Sequence, residues 1–354
     1  MDRRFFLLSA ASLASVASAP FAPVLAAETG FATGWRRFEI TTRVTLRGSP
    51  GAARLWLPLA QTAADYQVAS APRWQTSGTA RLQRDERYGA GLLRCQWDDA
   101  ASAQDIEVVQ LVATRDRGAN PMQPFGEADR RLWTAGTESM PIGGIVRQTA
   151  ERITDGRRTP RERARAIYDW VVDTTWRDPE VAGCGTGDFV RMLETGNFGG
   201  KCADINSLFV GLARAAGLPA REVYGIRVAD SRQFPSLGKA GDISKAQHCR
   251  AEVFLDDEGW LPVDPADVRK VVLEGKLALD HPDVVRLRER LFGFWEMNWI
   301  GYNSAGDIRL PGSDGQTPNF SFLMYPCAFT ATGQPDSLDP AGFRYAITAR
   351  EITT

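Results

Sequence analysis

Histidine is nearly absent from this chain. Among 354 residues only His248 and His281 occur, which excludes histidine-rich metal centres and leaves few groups able to act as a base near neutrality. Lysine is scarce too, confined to positions 201, 239, 245, 270 and 276. The remaining cations are arginine, a bias that we read as a GC-rich coding sequence rather than as chemistry. Neither sign of charge dominates: 42 basic and 43 acidic side chains leave a formal net charge of −1, so nucleic acid is not an expected partner. The chain also lacks a Gly-x-Ser-x-Gly elbow, a Walker loop, a dinucleotide fingerprint and a His-Glu-x-x-His pair. Serine hydrolases of that type, nucleotide enzymes and zinc peptidases are thereby disfavoured. Neither a cofactor nor a metal is expected. No internal repeat or low-complexity segment is present.

Long hydrophobic runs are missing as well. The N-terminal apolar stretch, which follows Met1-Asp2-Arg3-Arg4, is rich in Ala and Ser and is interrupted by Pro20 and Pro23, too weak for a membrane span. Paired arginines ahead of such a stretch resemble a twin-arginine signal peptide, with Val24-Leu25-Ala26-Ala27 offering small residues for cleavage. A general secretory signal or an uncleaved anchor are the alternatives. Residues 1–27 are therefore expected to be a signal peptide. The mature protein would begin near Glu28, reside in the periplasm or be secreted, and make no stable membrane insertion. Export implies an oxidising compartment. The five cysteines, Cys95, Cys184, Cys202, Cys249 and Cys327, are odd in number and scattered, so their spacing assigns no disulfide.

What is there is an ordinary globular composition, 44% hydrophobic and 24% charged, ample for a substantial core. Phe38, Ile40, Thr42, Val44 and Leu46 alternate with polar residues, and Arg54–Leu57 and Ile106–Ala113 are further strand candidates. Residues 28–138 are expected to form an antiparallel β-sandwich. The pattern changes near Pro141. Thr159-Pro160-Arg161-Glu162 is a capping box with proline at the first helical position. Asp188 is placed to cap a short helix stopped by Gly196. A helix with Ile205, Leu208, Phe209 and Leu212 on one face ends at Gly217. Strands follow at 221–228, 248–255 and 260–263, with 230–246 a polar, flexible loop. A charged helical stretch runs from Asp267 to about Arg290, and strands recur at 320–325 and 343–348. The divisions are 28–138, 139–270 and a β-rich extension over 271–354.

The chemistry gathers in three places. Cys202, in Gly199-Gly200-Lys201-Cys202-Ala203-Asp204, precedes the amphipathic helix. A thiol at a helix N-terminus meets the positive end of the dipole and unpaired N–H groups, which favour the thiolate and can bind an oxyanion. The two glycines are expected to let a substrate backbone approach. A buried structural cysteine is the bland alternative. His248 begins a strand on which Arg250 and Glu252 share its face, while Cys249 points to the other. Asp264 ends the next strand, and a hairpin through Gly259 would bring it to the imidazole, which a carboxylate can orient. A turn or cap role is the plainer explanation for Asp264. His281, before Pro282 in a charged turn, is read as a surface residue.

Cysteine before a helix, then histidine and aspartate on adjacent antiparallel strands, resembles the transglutaminase-like superfamily of bacterial papain-related thiol enzymes. The stretches that carry the likeness are Gly200-Lys201-Cys202, Arg214 to Arg221, His248 to Glu252, and Gly259 to Pro265, roughly residues 140–270. The resemblance implies an α+β papain-like core, with Cys202 as nucleophile, His248 as base and Asp264 as orienting residue. It also implies an upstream aromatic donor for the oxyanion, for which Trp176 is the best candidate, with a core tryptophan as the alternative. One departure is Arg250, where the family often has an aromatic residue. On the His248 face it could bind an anionic substrate group or Asp264, or else be an ion-pair partner of Glu252 or Asp204. The expected function is a thiol peptidase, amidase or acyltransferase acting on a peptide or protein, cell-wall peptide being plausible by location. The alternative is a binding module that keeps the fold without activity.

Overall fold

Alternating burial along Arg36–Leu46 builds the first layer. Phe38, Ile40, Val44 and Leu46 are buried, and the strand pairs antiparallel with Gln104–Thr114 along its whole length. These two lie in a six-stranded sheet, and a second sheet orders Cys327–Phe329, Ala53–Pro58, Gly91–Trp97 and Thr79–Arg84. Val44, Leu55, Leu57, Leu93, Trp97, Ile106 and Val108 meet in one cluster between them, which makes a β-sandwich. Both sheets take a strand from the end of the chain. Arg344–Glu351 covers the free edge of Arg36–Leu46, with Phe38 opposite Glu351 and Thr45 opposite Arg344, and Cys327–Phe329 covers Ala53–Pro58. An uncovered edge presents unpaired backbone groups, so the C-terminal stretch completes the sandwich. This computed structural model describes residues 34–46, 51–63, 65–98, 104–121, 123–313 and 319–353; the expected signal sequence lies outside them.

Helix signals in the central region are met closely. Thr159 Oγ1 accepts from the Glu162 amide at 3.1 Å, and the Glu162 carboxylate accepts from the Thr159 amide at 3.0 Å. The helix Pro160–Thr174 then buries Ala164, Ile167, Tyr168 and Val171. The helix Cys202–Ala215 ends as expected at Gly217, whose φ is +80°. Two helices gave no sequence signal, Glu127–Thr134 and Gly144–Thr154. Their N-caps are Gly126 and Gly143, which offer no side-chain acceptor, and the first falls in the region read as strands. The charged stretch after Asp264 is two helices, Pro265–Gly275 and Pro282–Arg290. Lys276 at φ 51° stops the first, and Pro282 opens the second. No helix among the described residues is long and apolar enough to cross a membrane.

The core sheet is antiparallel, in the order Gly259–Val263, Gln247–Leu255, Ala220–Arg227 and Trp299–Asn303. Its last strand again comes from beyond residue 270. The hairpin turns at Gly259, φ +72°, where a Cβ would sit 2.0 Å from the Asn120 carbonyl oxygen. Every residue of Gln247–Leu255 is buried. Cys249, Ala251 and Val253 share one cluster with Leu208 and Leu212 of the Cys202–Ala215 helix. The 230–246 segment is not the flexible loop its polar composition suggested. Leu237 and Ile243 are buried, and Gly241–Asp242 pairs with Arg344–Glu351. The fold is α+β, with the sandwich and the helix-covered sheet in one compact unit.

Candidate active site

Cys202 is the first residue of its helix and is 2% exposed. The loop beside it is held by Asp204. One carboxylate oxygen accepts from the Lys201 amide at 2.9 Å, the other from the amides of Thr186 and Gly187, each at 2.9 Å. The Ala203 amide donates to the Cys184 carbonyl at 2.9 Å. Gly199 and Gly200 are needed here to seat neighbouring side chains. A Cβ on Gly199 would lie 2.7 Å from the Trp176 indole nitrogen, and one on Gly200 would lie 2.6 Å from the Asp204 Cβ. The space the glycines leave is filled by the protein's own side chains.

His248 and Asp264 meet as the hairpin geometry predicts. Nε2 of His248 lies 2.7 Å from Oδ2 of Asp264. A second carboxylate, which the sequence did not single out, is also present: Asp267 Oδ1 is 3.4 Å from the same nitrogen. The imidazole is 3% exposed, and its backbone carbonyl accepts from the Trp299 indole N–H at 2.8 Å. Arg250 is turned inward. Its Nε is 3.6 Å from Asp264 Oδ2 and its Nη1 donates to the Glu296 carbonyl at 3.1 Å. The guanidinium lies 4.8 Å from the Trp299 ring centre. Of the contacts its strand face allowed, the one to Asp264 is made. Glu252 is instead bridged by Arg117 and by Arg221, the latter at 2.5 Å. His248, Asp264 and Asp267 offer ligand atoms within 4.8 Å of one another. Arg227 and Arg250, paired with those carboxylates, already supply the positive charge that a cation would bring.

Electrostatics divide the cysteines. Contacts from the Cys184 and Cys249 thiols, together with the His248 imidazole, hold Cys202 well below the usual thiol range against the effect of burial. Cys184 is pushed well above that range by its contact with Cys202 and by burial. Burial, with the same neighbour, does so for Cys249. Burial and Arg227 push the imidazole of His248 down, but Asp267 and Asp264 outweigh them and raise it. A thiolate and an imidazolium are thus favoured side by side. Cys249 corrects the expectation that it points away from the site. Strand alternation holds, but the Cys202–Ala215 helix packs on the Cys249 face, which brings that thiol to Cys202. All five cysteines are buried and unpaired.

Trp176 is 42% exposed. It opens the short strand Trp176–Arg177, which runs parallel to Gly199–Gly200, so its indole borders the turn into Cys202. The C-terminal stretch closes the other side. A Cβ on Gly183 would lie 2.9 Å from Leu338 and 3.0 Å from the Tyr325 hydroxyl, and Tyr325 contacts the Cys184 thiol. His281 caps the helix Pro282–Arg290, far from this chemistry in role: its Nδ1 accepts from the Asp283 amide at 3.2 Å.

The sequence profile of the transglutaminase-like superfamily matches residues 147–265, the span that holds Cys202, His248 and Asp264. A protein of Haemophilus influenzae without an assigned function is 35% identical over 329 residues, 87% of this chain and 89% of that one. The chain belongs to the transglutaminase-like superfamily. Among solved structures, one from Cytophaga hutchinsonii, described provisionally as a cysteine protease, is 12% identical, covers 92% of this chain and 93% of its own, and superposes with a TM-score of 0.55. That likeness is one of fold. The periplasmic domain of TgpA from Pseudomonas aeruginosa matches 70% of this chain and 92% of its own at 15% identity and a TM-score of 0.35. The core is papain-like, the fold of thiol enzymes.

Proposed function

We propose that this protein is an exported thiol enzyme that cleaves or transfers acyl groups at amide bonds, with Cys202 as nucleophile, His248 as acid and base, and Asp264 as orienting residue. The observation that carries the reading is the 2.7 Å contact of Asp264 with His248 Nε2. It leaves Nδ1 for the thiol that begins the adjacent helix. The Cys202 thiolate attacks the amide carbonyl carbon, and the oxyanion is received by the Cys202 backbone N–H and by the Trp176 indole N–H. The tetrahedral adduct collapses as the carbon–nitrogen bond breaks, and the His248 imidazolium gives its proton to the leaving amine. A thioester remains. Water or a second amine, deprotonated by His248, then displaces the sulfur and releases an acid or a new amide. Peptides and proteins, cell-wall peptides among them, are the proposed substrates, and export by the Arg3-Arg4 signal is the proposed route. Exchanging both arginines for lysine is expected to retain the protein in the cytoplasm; unchanged export would point to general secretion.

The test uses the chain without its signal sequence, a denatured protein as acyl donor and a fluorescent primary amine. Fluorescence bound to the donor reports transfer, and new amino termini report hydrolysis. Cys202→Ala should abolish both, a rate loss of several powers of ten. Parent-level turnover by that variant would end the thioester mechanism.

A further inference from the structure

The contact between His248 and Asp267 has no part in a three-residue scheme, and the local backbone explains how it arises. Asp264 caps the helix Pro265–Gly275, its Oδ1 accepting from the Asp267 amide at 3.1 Å. An acid three residues after a cap ordinarily reaches back to the cap's own N–H. Here that N–H is already given to the Leu291 carbonyl at 3.0 Å. The Asp267 carboxylate therefore turns to two other groups, Arg227 at 2.5 Å and His248 Nε2 at 3.4 Å. Arg227 is itself fixed, donating to the Leu237 carbonyl at 2.5 Å. On the other side Arg250 lies 3.6 Å from Asp264, clamped by the Glu296 carbonyl and the Trp299 ring.

The charges that face the imidazole are thus Asp264 and Asp267 from one helix start, Arg227 and Arg250 from the two central strands, and Cys202 from the opposing helix. The Glu296 carboxylate is turned aside, to Ser231 and Arg232. Two carboxylates and two guanidinium groups cancel. Such a surround can host a thiolate and an imidazolium without leaving net charge buried, the condition that makes a buried ion pair tolerable.

We propose that Asp267, held by Arg227, is a second positioning residue for His248, and that it stabilises the imidazolium jointly with Asp264. This rests on the thiol reading given above. It assigns to Arg227 and Asp267 an effect on the Cys202–His248 pair that a packing role alone would not have.

The test needs no substrate. The rate of Cys202 alkylation by iodoacetamide is followed against pH, with the modified peptide identified by mass spectrometry. Asp267→Asn removes the carboxylate and keeps Arg227, whose own charge acts on the imidazole in the opposite sense. Loss of a carboxylate within about 4–6 Å of an imidazolium moves the equilibrium by about one to three pH units. The acid limb of alkylation should accordingly rise by at least about one unit in Asp267→Asn, and Arg227→Lys should leave it near the parent position. An unmoved limb in a folded Asp267→Asn protein would overturn the proposal. If that variant gives no cooperative unfolding transition, Asp267→Glu decides by the same limb: raised supports the proposal, unmoved overturns it. A parent protein without a fast thiol at Cys202 would overturn the thiol reading, and this inference with it.

Discussion

Cys202 differs from its four relatives in what surrounds its sulfur: a helix N-terminus, the His248 imidazole and two neighbouring thiols that remain protonated. Behind Cys249 lies Glu222, whose carboxylate accepts from Ser207 at 2.8 Å and from Tyr224 at 2.9 Å, while Oε1 has no partner. Burial, with the Cys202 charge adding to it, overcomes these bonds and raises the carboxyl from 4.5 to about 7. Between those values the folded protein holds a proton that the unfolded chain has released. The stability this contributes is fully present below about 4.5 and is lost as pH rises through about 7. Glu222→Gln should flatten the dependence of thermal stability on pH within that window and exceed the parent in stability above it. Thermal melts across the range would check this; a slope identical to the parent's would show that Glu222 does not titrate there.

At the scale of elements, the sequence announces what is local. The capping box at Thr159, the stop at Gly217 and the hairpin at Gly259 depend on neighbours in the chain, and each stands where its residues imply. The alternation of Gln247–Leu255 likewise identifies which residues share the His248 face. Which face the Cys202–Ala215 helix covers is a tertiary fact, so alternation alone places Cys249 away from a thiol that it touches. Asp204 and Asp267 were illegible for a related cause. Asp204 binds amides of a loop 17 and 18 residues earlier, and Asp267 meets an arginine 40 residues away. No spacing rule joins such partners. The glycine-capped helices Glu127–Thr134 and Gly144–Thr154 lack the side-chain acceptors that would have marked their starts.

Across the whole molecule, the site is built from the middle of the chain and the sheets around it are completed by its end. Arg344–Glu351 and Cys327–Phe329 complete the sandwich, and Trp299–Asn303 completes the core sheet. Tyr325 and Leu338 rest on the Gly183–Cys184 turn beside Cys202. Cys202 is 2% and His248 3% exposed. The proposed mechanism requires Cys202 and His248 to form a reactive thiolate–imidazolium pair within this buried site. Its most direct measurement is a peptide map of the native protein after a brief exposure to iodoacetamide below about pH 7, where an ordinary thiol is protonated. Cys202 alone should be modified, at a rate that falls strongly in His248→Ala. Modification of Cys184 or Cys249 in its place, or no fast modification at all, would contradict the mechanism.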